Sequence, residues 1–188
     1  MMRAMILEFF TDPACAYLDR QYMLGPSLLV APIFGDDGRV SYYLPPGRWT
    51  SLLSGEAVNG GEWRTETHGY MSLPLMVRPN SIIAVGSDET RPDYDFSDGV
   101  TFHVFEPADG VESTAVVIST EGHEEASISV RREGRTIRIQ RHGVGKPWRV
   151  CLRNVPAVAS VEGGASERSG EGTTILPGRG RESMIVKL

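Results

Sequence analysis

Cysteine is scarce in this 188-residue chain: Cys15 and Cys151 are its only two, far apart and in unlike contexts. Such a pair makes no disulfide framework, and two reduced, structural thiols in a cytoplasmic protein are expected. Basic charge is not in excess either. Nineteen Lys and Arg face 24 Asp and Glu, for a net charge of −5, which argues against a nucleic-acid binder that displaces counterions with a basic stripe. No apolar run approaches the length of a membrane span. The apolar start, Met1 to Phe10, carries Glu8 and a single Arg, a poor match to a targeting peptide. No Gly-rich phosphate loop opens a helix. The four histidines, His68, His103, His123 and His142, lie in separate segments without ligand spacing, so neither a metal nor another cofactor is expected.

What the chain does have is short strands and many turns. Leu28 to Phe34 is an apolar run that follows Gly25-Pro26 and carries Pro32, and Val40, Tyr42 and Leu44 alternate with Ser41 and Tyr43. Asn59-Gly60-Gly61 has hairpin-turn chemistry, because Gly and Asn accept positive φ at low cost. Ser87 to Asp98 is rich in Asp, Pro, Ser and Glu and reads as a linker. Beyond it, Val100–Phe105, Ser113–Ser119, Ala126–Arg132, Arg135–Arg141, Trp148–Arg153 and later segments form a second all-β set. Ile128, Val130, Ile137 and Ile139 are the inward face of a hairpin turning at Gly134. The basic residues between Arg131 and Arg141 read as its solvated face. Gly163 to Gly172 reads as a mobile loop. His103, alternating with Phe102 and Val104, is expected to face outward.

The first 26 residues differ from the rest. Arg3 to Phe10 is apolar on both faces apart from Glu8, the pattern of a strand covered on both sides. Asp12-Pro13 breaks it, and Ala14 to Leu24, free of internal Gly or Pro, predicts a short helix stopped by Gly25.

A family resemblance rests on motifs in order: Met2-Arg-Ala-Met-Ile-Leu-Glu-Phe9, Asp12-Pro13, Asp19-Arg-Gln-Tyr-Met-Leu-Gly25, Leu29-Val-Ala-Pro32, Tyr43-Leu-Pro-Pro-Gly-Arg-Trp49 and His68-Gly-Tyr-Met-Ser-Leu-Pro-Leu-Met-Val-Arg78. Together they resemble the C-terminal part of glycoside hydrolase family 31, in its α-xylosidase branch. The resemblance implies a mainly β chain: two consecutive antiparallel β-sandwich domains preceded by a short strand-helix remnant of a (β/α)8 barrel. The expected divisions are 1–26 for the remnant, 27–87 for the proximal sandwich, 88–98 for the linker and 99–188 for the distal sandwich.

It also implies where the chemistry lies. Retaining glycosidases need two carboxyl groups about 5–5.5 Å apart, supplied in a barrel by loops after several different strands. The family's two catalytic aspartates belong to earlier barrel strands whose motifs this sequence does not contain, so no catalytic residue is assigned here. Glu8 and Asp12, near the end of the barrel-like strand, are candidates for supporting the substrate pocket. Their competing roles are a loop-anchoring carboxylate and a turn-forming Asp before Pro13. Trp49, Trp63 and Tyr70 are candidate sugar-stacking aromatics, with core packing as the alternative. The expected partners are the catalytic barrel of a parent α-glycosidase and, there, an oligosaccharide ending in α-linked xylose or glucose. By itself the chain is expected to be inactive. Two other readings stay open: a free-standing carbohydrate-binding module, and an oligomerisation element that self-associates through its apolar start.

Overall fold

The computed structural model describes residues 1–143 and 145–188, and these form two compact units, Met1–Pro79 and Asn80–Leu188. The chain is mainly β, and nearly all its strand pairs are antiparallel.

In the first unit the strands are β1 (Met2–Ala4), β2 (Tyr22–Leu24), β3 (Leu28–Val30), β4 (Arg39–Leu44), β5 (Arg48–Ser51), β6 (Ala57–Asn59), β7 (Glu62–Thr67) and β8 (Leu75–Val77). One sheet runs β1-β2-β3-β8-β5-β6, and β4 pairs with β7 in a second. Leu29, Met23, Leu44, Trp49 and Met76 meet in the core. The turn at Asn59-Gly60-Gly61 joins strands of different sheets rather than closing a hairpin. A side chain at Gly60 would strike the Pro45 carbonyl, so this crossover needs glycine.

The first 26 residues depart from expectation. The strand predicted over Arg3–Phe10 stops at Ala4 and becomes a single helical turn, α1 (Met5–Glu8). The predicted helix over 14–24 is a 3-10 turn at Pro13–Cys15 followed by β2. Tyr22–Leu24 is extended because it fills the place between β1 and β3, paired to both; tertiary pairing overrides local helical tolerance. Gly25, with φ of 63°, sits in the tight β2–β3 turn. The segment is thereby part of the first unit's sheet.

The second unit has two five-stranded sheets. Its strands are β9 (Ser81–Val85), β10 (Val100–Phe105), β11 (Glu112–Ile118), β12 (Glu124–Glu133), β13 (Thr136–Gly143), β14 (Trp148–Arg153), β15 (Ser160–Glu162), β16 (Gly164–Ser169), β17 (Gly172–Pro177) and β18 (Ser183–Lys187). The orders are β16-β17-β14-β10-β9 and β11-β12-β13-β18-β15. The β10–β14 pair is parallel. Ile128, Val130, Ile137 and Ile139 are buried together with Phe102, Val150, Ile175 and Val186. Their period of two faces the opposite sheet, as in an aligned sandwich.

The division between units falls at Pro79/Asn80, not after residue 87. Ser81–Val85 pairs with β10 along its whole length, and Phe96 packs on the second core. The expected linker therefore belongs to the second unit. Gly163–Gly172, expected as a loop, is largely strand β16 against β17. Arg141 is not on the solvated face. It shares the parity of Ile137 and Ile139 and is 1% exposed. His103 points away from Phe102 and Val104 yet is also buried.

Candidate functional site

Glu8 closes α1, and its two carboxylate oxygens are taken by two guanidinium groups. Arg3 Nη2 lies 2.8 Å from Oε2, and Arg78 Nη2 bonds Oε1. The hydrogen bond from Arg78 pulls the carboxyl below its ordinary range, against a smaller opposing effect of burial. Both arginines also reach backbone carbonyls, Arg3 at Gly25 and Arg78 at Pro26. Arg78 further lies over the Phe9 ring, 5.8 Å from its centroid. Glu8 thus ties α1 to the β2–β3 turn and to the end of β8.

Asp12 anchors the next loop. One oxygen accepts from Ala14 N at 3.0 Å, capping the 3-10 turn, and the other accepts from the Tyr43 hydroxyl at 3.0 Å. Tyr43 is itself fixed by Gln21, whose amide donates to the Tyr43 carbonyl and accepts from the Tyr43 N–H, both at 2.7 Å. Gln21 therefore serves the edge of β4 as a neighbouring strand would. Burial, then the bond to Asp12, raises the Tyr43 phenol above its usual range. Burial and the nearby Asp12 push the Cys15 thiol up to about 11.

The aromatic candidates separate. Trp49 is 2% exposed, with its indole N–H on the Pro45 carbonyl at 2.8 Å and its ring beside Phe9; both faces are committed to the core. Trp63 is 60% exposed and tilts against Tyr43, with centroids 5.8 Å apart. Tyr70 is fully exposed in the loop after β7. Tyr43 thus links Trp63 to Asp12, whereas Trp49 offers no free face to a sugar.

A second polar group in this unit escaped the sequence reading. Glu66 accepts from the Tyr42 hydroxyl at 2.9 Å and Arg64 Nε at 3.2 Å on one oxygen, and its other oxygen lies 3.1 Å from His68 Nε2. His68 Nδ1 lies 2.9 Å from the Ser72 hydroxyl. Burial opposes ionisation of Glu66, but bonds from His68, Tyr42 and Arg64 outweigh it and hold its carboxyl low. Alternation over Glu62–Thr67 places Arg64 and Glu66 on one face, the one signal that could have found them.

One group of metal-ligand type is present among the described residues: His103, Cys151 and Glu171 place one ligand atom each within 4.8 Å of one another. Cross-strand register sets His103 opposite Cys151. The Nδ1 of His103, however, faces Arg153 Nη1 at 3.1 Å. A cation already stands at that ring nitrogen, and burial raises the Cys151 thiol, so the chemistry of the group opposes a second positive charge.

Comparison with known proteins places this geometry in context. Residues 1–83 match the glycosyl hydrolase family 31 C-terminal domain, and residues 95–188 match the C-terminal domain of alpha-xylosidase YicI. The chain is 40% identical to alpha-xylosidase XylQ of Lactiplantibacillus pentosus over 77% of its own length and 19% of that protein's. It is 41% identical to an alpha-xylosidase of Emericella nidulans over 53% of its length and 14% of that protein's. The chain thus spans less than a fifth of the length of either relative. All of it superposes on a cycloalternan-forming enzyme from Listeria monocytogenes, with a TM-score of 0.83, 20% identity and 20% of that chain covered. It also resembles a family 31 alpha-xylosidase of Xanthomonas citri, with a TM-score of 0.66 at 22% identity over 95% of this chain and 21% of the other. At these identities the superpositions speak to fold.

Proposed function

The chain belongs to glycoside hydrolase family 31, matching its C-terminal region, and we propose on that premise that it is the accessory, structural portion of a retaining α-glycosidase. The parent activity is hydrolysis of terminal α-linked xylose or glucose, with α-xylosidase favoured by the two relatives near 40% identity. The chain's own role is to hold a catalytic barrel in place, and it has no glycosidase activity alone.

The observation that carries this reading is the construction of residues 1–21. Their inner side is fixed by Glu8, Asp12 and Gln21, while Leu7, Phe10 and Tyr17 are left exposed. Large apolar side chains on a segment tied down this firmly suit a permanent partner surface. Cytoplasmic residence belongs to the same proposal, since Cys15 and Cys151 are buried free thiols. So does self-association when no barrel is present. The test is co-expression with a polypeptide carrying a family 31 catalytic barrel. The two should co-elute, and Leu7→Ser with Phe10→Ser should separate them. Independent elution of the unaltered chain would defeat the proposal.

A further inference from the structure

The second unit has a cavity of about 360 Å³, large enough for a small ligand, whose lining includes Arg141, Lys146, Trp148, Arg179, Arg181 and Glu182. Four cationic residues and one acidic residue thus line it, in a chain whose net charge is −5. Lys146 is already neutralised, 2.7 Å from Asp95 and 3.5 Å from Glu125. Glu182 offsets part of the charge of Arg141. The surplus rests on Arg179 and Arg181, whose side chains make no ion pair among the described residues.

These two arginines stand on a turn that is already fixed. Arg181 N donates to the Gly178 carbonyl at 2.9 Å, Gly178 N donates to the Gly163 carbonyl at 2.8 Å, and Gly180 takes φ of 68°. Arg141 contributes a guanidinium at 1% exposure, 5.8 Å from the Trp148 ring centroid. Two exposed arginines on a fixed turn, with the buried charge of Arg141 behind them, match the forked recognition of an oxyanion. We infer that this cavity binds a small oxyanion, a phosphate group either free or carried on a sugar, at a site remote in sequence from Glu8 and Asp12.

The test is calorimetric titration and thermal melting of the full chain with inorganic phosphate, glucose 1-phosphate, glucose, and chloride at matched ionic strength. Saturable binding of phosphate is expected, with a dissociation constant on the order of 1 mM. Melting of the second unit should rise by about 4–8 °C at roughly ten times that concentration. Tighter binding of glucose 1-phosphate than of phosphate would identify a phosphorylated sugar as occupant; equal binding would identify the free oxyanion. Arg179→Ala with Arg181→Ala lies on an exposed turn outside the core and should weaken binding roughly tenfold or more. The inference is overturned if phosphate shows no saturation by roughly 50 mM. It is equally overturned if glucose or matched chloride reproduces the effect, or if the double variant binds unchanged.

Discussion

Gln21→Ala is the substitution that most sharply tests how the first unit is built. Gln21 is 5% exposed and satisfies both backbone groups of Tyr43. Alanine would leave a buried N–H and a buried carbonyl without partners, at about 1–3 kcal/mol each. The freed rotamer entropy of the glutamine returns roughly 1.5–2 kcal/mol. The net loss is therefore about 2 kcal/mol, or roughly 8–16 °C in melting temperature for a unit of this size. Thermal melts followed by tryptophan fluorescence report it, since Trp49 and Trp63 both lie in this unit. Gln21→Glu sharpens the test. An ionised carboxylate still accepts from Tyr43 N–H but repels its carbonyl, whereas the protonated acid can both donate and accept. Its folded pKa would be raised, so stability should be regained in acid and lost as pH rises through that value. A Gln21→Ala melt within about 2 °C of the parent would refute the idea that this side chain stands in for a strand.

Glu8→Gln should cost about 1 kcal/mol near neutral pH. Because Arg78 holds the Glu8 carboxyl low, its stabilisation is full above the unfolded value of about 4.3 and fades as pH falls through the folded one; the variant's acid limb in urea melts should be correspondingly flatter. Trp49→Ala should lose about 3–5 kcal/mol by opening the core, and Trp63→Ala only about 0.5–1.5 kcal/mol through its contact with Tyr43; equal losses in chemical denaturation would mean the burial assignments are wrong. The Asp95 carboxyl, pulled down to about 2 by Lys146 and then Ser97, should return toward the usual range in Lys146→Ala, as followed by carboxyl-carbon NMR.

Much of the strand pattern was legible because period-two burial leaves a direct trace. Buried residues alternate along β12 and β13, where strands were expected over Ala126–Arg132 and Arg135–Arg141. Arg141 was legible in the same way, sharing parity with Ile137 and Ile139, but a charged side chain reads as solvated until packing shows otherwise. The start was misread because Tyr22–Leu24 owes its conformation to β1 and β3, which no local pattern contains. The same holds for His103, whose cover is non-local. Glu8 and Asp12 were singled out through their positions in the motif, and the structure shows them as anchors of their loop. Their partners Arg78 and Tyr43 lie 70 and 31 residues away and could not be paired from spacing.

The most direct test of the accessory role is hydrolysis of p-nitrophenyl α-xyloside and α-glucoside by the purified chain at high concentration, from acidic to mildly alkaline pH. No turnover above buffer is expected, with activity only when a barrel-bearing polypeptide is supplied. Turnover that persists through further purification, and falls when Glu8 or Asp12 is replaced, would contradict that role and place a working carboxylate pair within these residues.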